Sequence, residues 1–237
     1  MYVWKLSAFI LMDYWYVVLV IPAMILSLVV QLKMRSTYGK YSNVPARSGM
    51  TGADMARKVL RDNGVVDVDV VPVSGELTDH YDPKARVIRL SSGVYGSNSI
   101  AALGVAAHEA GHAVQHSEAY APLRIRNNMV PVVNFASGIS WWVFIIGLFA
   151  DMPAFLYGGI ILFSLATLFH LITLPVELNA SKRAVVALSN TGALNEQEIQ
   201  GTRKVLSAAA MTYLAALVAS VASLLRMVLI AQGRRRD

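Results

Sequence analysis

Residues 108–112 read His-Glu-Ala-Gly-His, inside an alanine-rich stretch, 99–116, whose pattern is helical. On a helix, a four-residue spacing puts two imidazoles on one face, about 6 Å apart along the axis, so one divalent cation can reach both. Glu109 is rotated off that pair. Its carboxylate lies beside the open coordination position, where it can take the proton of a water polarised by the same ion. The chemistry this implies is metal-assisted hydrolysis of a peptide bond, with His108 and His112 as ligands and Glu109 as general base.

The chain contains no cysteine, so every protein ligand must be a histidine or a carboxylate. Two imidazoles and a carboxylate suit zinc, which implies one Zn2+ per chain. Three positions could supply the third ligand. For Glu118 the chain would have to turn back after the helix, and Gln115 stands where a glycine would permit that turn. His116 is about 12 Å from His108 along a continuing helix, too far for two bonds to one ion. Glu177 lies in Leu174-Pro175-Val176-Glu177-Leu178-Asn179-Ala180-Ser181, where Pro175 suits the first turn of a helix. It ranks first, with the other two kept as alternatives.

Composition sets what must position these groups. At 237 residues, 55% hydrophobic and 15% charged, the chain is too apolar for an ordinary soluble protein. Its apolar residues gather in four long runs, about 15–32, 132–150, 154–174 and 208–230, and the charge lies between them. That is the pattern of a polytopic helical membrane protein with about four transmembrane helices, multi-pass in the cell membrane with the lipid bilayer as partner. The fold class is therefore mainly α, with a small α+β extramembrane domain.

Five segments follow: an N-terminal anchor over 1–32, read as uncleaved; a catalytic region over 33–130; a helical hairpin over 131–174; a helix bearing Glu177 over 175–207; and an apolar helix with a basic tail over 208–237. Pro22 lies within the anchor, where a kink is affordable because neighbouring helices can satisfy the freed carbonyl. In the catalytic region, Thr51 caps a helix over 53–63 that Gly64 stops. Strands are expected over 68–73 and 86–90, with a turn at Asp82-Pro83. The hairpin turns at Asp151-Met152-Pro153. Arg226 is read as a snorkelling side chain. Two crossings separate His112 from Glu177, which puts both on one side of the membrane, as a shared site requires.

With these residues in place, the chain resembles the neutral zinc metallopeptidases of bacterial membranes, the YugP-like family, over nearly its whole length. The resemblance rests on Leu77-Thr78-Asp79-His80-Tyr81-Asp82-Pro83, on 86–91, on Gly-Val-Ala-Ala-His-Glu-Ala-Gly-His-Ala-Val-Gln at 104–115, on Ala-Pro-Leu-Arg-Ile-Arg at 121–126, and on Pro175-Val176-Glu177. It implies a membrane-bound zinc hydrolase with His108, His112 and Glu109 in the metal and base roles, and a zincin-like catalytic domain. More distantly the plan is similar to the gluzincins, including the HtpX and CAAX prenyl protease group, in which a glutamate on a later helix completes the site. Glu177 matches it. Those enzymes carry an aspartate four residues later to orient a ligand histidine, where this chain has Ser181; Asn179 or Ser181 can take that place.

Further expectations concern substrate. The segment 87–90, just ahead of the metal helix, is expected to be an edge strand that pairs with the substrate backbone. His80, Tyr81 and Tyr120 are chemically able to stabilise the oxyanion. The metal site should lie near the membrane interface, with membrane-protein or peptide substrates. Of 21 basic residues, 12 lie between Lys33 and Arg126 and 4 between Lys182 and Lys204, which favours a cytoplasmic active site; Arg234, Arg235 and Arg236 point the other way if the fourth run spans. The net charge of +6 is accounted for by these flanks, which leaves no nucleic-acid patch. A transporter is disfavoured because the spans are nearly free of ionisable residues. A non-proteolytic scaffold with a structural zinc stands as the alternative, and a homo-oligomer is left open.

Overall fold

The computed structural model describes residues 13–233, and over them the chain is mainly α-helical. A π-helical turn, Tyr16–Val20, leads into α1, Ile21–Ser42. There follow α2 (Gly52–Asp62), β1 (Asp69–Val73), β2 (His80–Asp82), β3 (Val87–Ser91), a short α3 (Ser92–Tyr95), α4 (Ile100–Ser117), α5 (Ala121–Phe149), α6 (Pro153–Asn190) and α7 (Glu196–Gly233). Arg234, Arg235 and Arg236 and residues 1–12 of the anchor lie outside the described residues. The chain divides into two compact units, and each of the four long helices contributes to both.

One unit comprises the described residues up to Val30, with Ile125–Thr173 and Thr212 onward. The helices that build it are long and apolar enough to cross a membrane. Met24, Ile25, Leu28 and Val29 on α1 are exposed, which suits a lipid solvent in which apolar side chains need no protein partner. Pro22, which cannot donate to the preceding turn, is met by the π turn rather than by a break in the helix. The expected hairpin turn is present: Asp151 adopts φ 56° and Pro153 opens α6. Gly147 and Gly159 leave no room for a Cβ against Leu156 and Phe144, so α5 and α6 approach closely.

Arg226 does not snorkel. It is buried, donates from Nε and Nη2 to Asp13 Oδ2 at 2.8 and 2.6 Å, and lies over the rings of Tyr16 and Trp141. A guanidinium removed from water needs such a partner, and Asp13 supplies it from the other end of the sequence.

The second unit, Gln31–Arg124 with Leu174–Met211, holds the sheet and α4, which carries His108, Glu109 and His112. The expected helix over 53–63 is α2, closed by a reciprocal capping box between Thr51 and Asp54. β1 pairs in parallel with β3, and β2 pairs antiparallel on its other side, giving the order β1-β3-β2. This overturns the edge-strand expectation for 87–90. β3 is the central strand, because Val87, Ile88 and Leu90 are all buried and both of its edges are taken. β2 is three residues of polar sequence, His-Tyr-Asp, where only a turn was expected.

The alanines of α4 are explained by its position. Ala101, Ala102, Ala106, Ala107 and Ala110 are fully buried, as is Leu103, and all but Ala101 pack with Met55, Ile88, Leu90 and Leu188 into one core. A helix enclosed on nearly every side must be thin to let its neighbours close in. α6 also departs from expectation. Pro175 lies inside a continuous 38-residue helix rather than in the first turn of a new one.

Candidate metal centre

α4 and α6 position the site. Gly111, next to His112 and three residues after His108, faces α6 so closely that a Cβ there would stand 3.0 Å from the Ala180 carbonyl oxygen. That approach brings Glu177 to the histidine face of α4. Its Oε2 lies 3.3 Å from His108 Nε2 and 3.4 Å from His112 Nε2. His108, His112 and Glu177 form a group whose ligand atoms all fall within 4.8 Å of one another. Glu177 is 2% exposed and His112 8%; such burial of a carboxylate demands charged or strongly polar partners.

The spacing fits zinc. With bonds of about 2.0–2.2 Å and tetrahedral angles, neighbouring ligand atoms stand about 3.4 Å apart, close to the carboxylate-to-imidazole distances seen here. The Glu177 carboxylate and the two histidines also act on one another electrically. Burial works against a charged His112, but the hydrogen-bonded Glu177 carboxylate and the nearby Glu109 charge outweigh it and raise the imidazole's pKa. Burial likewise opposes ionisation of Glu177, and hydrogen bonds from His108 and His112 overcome it, holding its carboxyl well below the usual carboxylate range.

The far nitrogens of both rings are engaged. Ser181 Oγ is 3.2 Å from His108 Nδ1, and Gln115 Oε1 is 2.9 Å from His112 Nδ1. The two rings meet edge to face with centroids 4.7 Å apart. Gln115 is fully buried, and its Nε2 donates to the Val176 carbonyl and to Asn179 Oδ1, each at 2.9 Å. Arg183 Nε donates to the same Asn179 oxygen at 2.8 Å, and its two terminal nitrogens grip both carboxylate oxygens of Glu118 at 2.9 and 2.6 Å.

The alternatives for the third ligand thus have other occupations. Glu118 is held by Arg183, and His116 Nδ1 lies 2.7 Å from the Tyr81 hydroxyl. His80 is set apart: its ring is exposed and pairs locally with the Thr78 carbonyl at 2.7 Å. Glu109 is buried on α4, beside His112. Ser181 and Asn179 both lie in the network behind the histidines. Gln115, which the sequence offers only as the residue blocking a turn toward Glu118, stands at the centre of that network. The signal that could have found it is its i,i+3 spacing from His112, which places both side chains on one helix face.

One unit holds helices long and apolar enough to cross a membrane, and the other gathers two imidazoles and a carboxylate that could hold a metal ion, the combination expected of a membrane metalloprotein. The sequence matches the family described as "Putative neutral zinc metallopeptidase" over residues 16–232, and the chain belongs to that family. It is 51% identical over 215 residues to a Bacillus subtilis (strain 168) protein described as "Putative membrane protease YugP", a match covering 91% of this chain and 96% of that one. No solved structure matches the chain.

Proposed function

We propose that this protein is a membrane-integral, gluzincin-like zinc endopeptidase that hydrolyses peptide bonds in membrane or membrane-proximal proteins. The observation that carries the reading is the placing of Glu177 Oε2 between the Nε2 atoms of His108 and His112. These three residues would hold the metal. Zinc bound there would supply Lewis-acid polarisation of a water and of the scissile carbonyl. Glu109 takes the proton from the attacking water and passes it to the leaving amine; a buried carboxylate next to the ligand pair is suited to both transfers.

Family membership and the relative's description as a membrane protease support the hydrolytic class. Glu109 separates it from a structural zinc clamp, which needs no base. The free sheet edge beside the metal helix is that of β2, whose Tyr81 touches His116 on α4; an extended substrate pairs there, with Tyr81 better placed than His80 to meet a developing oxyanion. The basic residues flanking the spans favour the cytoplasmic side, and Glu177 follows an apolar span by only a few residues, which favours a site near the interface.

The test is the metal content and casein-type or self-cleavage activity of detergent-purified wild type, Glu177→Ala and Glu109→Gln. One zinc per chain is expected in wild type and in Glu109→Gln, with activity in the latter down by about 10²- to 10⁴-fold, and zinc lost from Glu177→Ala. Full retention in Glu177→Ala removes it from the ligand set. Wild type that holds zinc and cleaves nothing redirects the reading to a scaffold.

A further inference from the structure

Gln115 lies behind the ligand set, and no peptidase chemistry calls for a buried amide there. A carboxamide can be placed either way round, so the argument turns on which of its atoms is forced to face His112. The forcing begins at Arg183, whose guanidinium can donate and never accept. Its Nε donates to the side chain of Asn179 at 2.8 Å, so the atom of Asn179 at that point must be oxygen. Glu118 fixes the guanidinium in turn by gripping both terminal nitrogens. Gln115 lies 2.9 Å from that Asn179 oxygen and 2.9 Å from the Val176 carbonyl. Both are acceptors, so the Gln115 atom between them must be the NH2. Its oxygen is left to face His112 Nδ1 at 2.9 Å.

From this chain of donors and acceptors we infer that Gln115 is a positioning residue that orients His112, compelling Nδ1 to carry a proton and leaving Nε2, the nitrogen that faces Glu177, as the one that would bind the metal. The inference rests on the zinc reading above and adds to it a residue outside the ligands. Turning the amide round would set its oxygen against the Val176 carbonyl and strand donors in a fully buried place, at a cost of about 1–3 kcal/mol per unsatisfied group. The clamp reaches both ligand helices at once: it holds His112 through the side chain and grips the backbone of the residue just before Glu177. Ser181 is the corresponding partner of His108, at the longer distance of 3.2 Å. The two histidines are therefore oriented by neutral groups, an amide and a hydroxyl, and the negative charge of the site is left to Glu177 and Glu109.

Zinc affinity measured by chelator competition on the full-length protein in detergent tests this, with the visible absorption of the cobalt-substituted protein as a second readout. Gln115→Met keeps the volume and removes the clamp. It should weaken zinc roughly 10- to 100-fold and alter the cobalt spectrum, with the helical circular dichroism of the metal-free protein retained. Asn179→Leu removes an acceptor that orients the amide and should weaken zinc as well, whereas Asn179→Asp still offers oxygen to both Gln115 and Arg183 and should restore affinity toward wild type. That rescue separates amide orientation from packing, because Leu and Asp differ in acceptor chemistry. Wild type that takes up zinc together with Gln115→Met that binds it equally tightly, with an unchanged cobalt spectrum, overturns the inference and leaves the metal centre standing. Wild type that takes up neither metal overturns the metal centre itself and this inference with it.

Discussion

Gly111 and Ala180 set the distance between the two helices that carry the candidate metal ligands, since a Cβ on Gly111 would stand 3.0 Å from the Ala180 carbonyl oxygen. The contact is backbone against small residue, and neither side has a flexible end that could move aside. Gly111→Val should push α4 from α6 and carry the histidines away from Glu177. Overpacking of this kind costs about 1–3 kcal/mol, so both the thermal midpoint and the zinc affinity should drop, with Gly111→Ala intermediate. Unchanged zinc affinity in Gly111→Val would remove the close approach from the list of what the site needs.

Zinc affinity should depend on pH through His112. In the metal-free protein burial lowers, and the Glu177 and Glu109 carboxylates more than restore, a pKa that ends above its ordinary 6.5. A value raised on folding means that the protonated His112–Glu177 pair stabilises the metal-free fold below the unfolded value, and that this contribution is lost as pH rises through the folded one. A metal ion has to displace that proton. Apparent affinity should accordingly weaken as pH falls, beginning above 6.5, by about tenfold per pH unit for one displaced proton. Chelator competition from alkaline to mildly acidic pH reads this directly, and a flat profile across that window would falsify it.

Asp13 and Arg226 make a further case for measurement, because breaking a buried pair differs from replacing it. Asp13→Leu leaves the guanidinium without its carboxylate and should cost up to about 3–5 kcal/mol, whereas Asp13→Leu with Arg226→Met replaces both charges by apolar groups and should recover much of the loss. Thermal unfolding of wild type, both single variants and the double variant gives the coupling. Additive losses would show that the pair contributes nothing of its own.

The parts of the site legible in the sequence were those encoded locally. Two histidines four residues apart share a helix face wherever that helix is put, and Thr51 three residues before Asp54 closes its cap without help from the rest of the chain. What escaped was set by partners distant in sequence. Val87 to Leu90 read as a strand, but an edge is a property of neighbours, and β2, which covers one side, is too short and polar to announce itself. Pro175 carries a helix-start signal that continuous packing along α6 overrides. Arg226 looked like a side chain reaching for water because Asp13, its partner, lies 213 positions away. Gln115 became visible as a positioning group only once Val176 and Asn179 stood opposite it.

The ligands also appear in a fixed order as the chain is made. His108 and His112 leave the ribosome well ahead of Glu177, and the hairpin formed by α5 and the first part of α6 lies between them. A nascent chain that ends short of Glu177 has two imidazoles and no carboxylate to join them. Synthesis of that hairpin therefore precedes any complete set of the three groups, and a chain cut short before Glu177 cannot form the site, whatever else of it has folded.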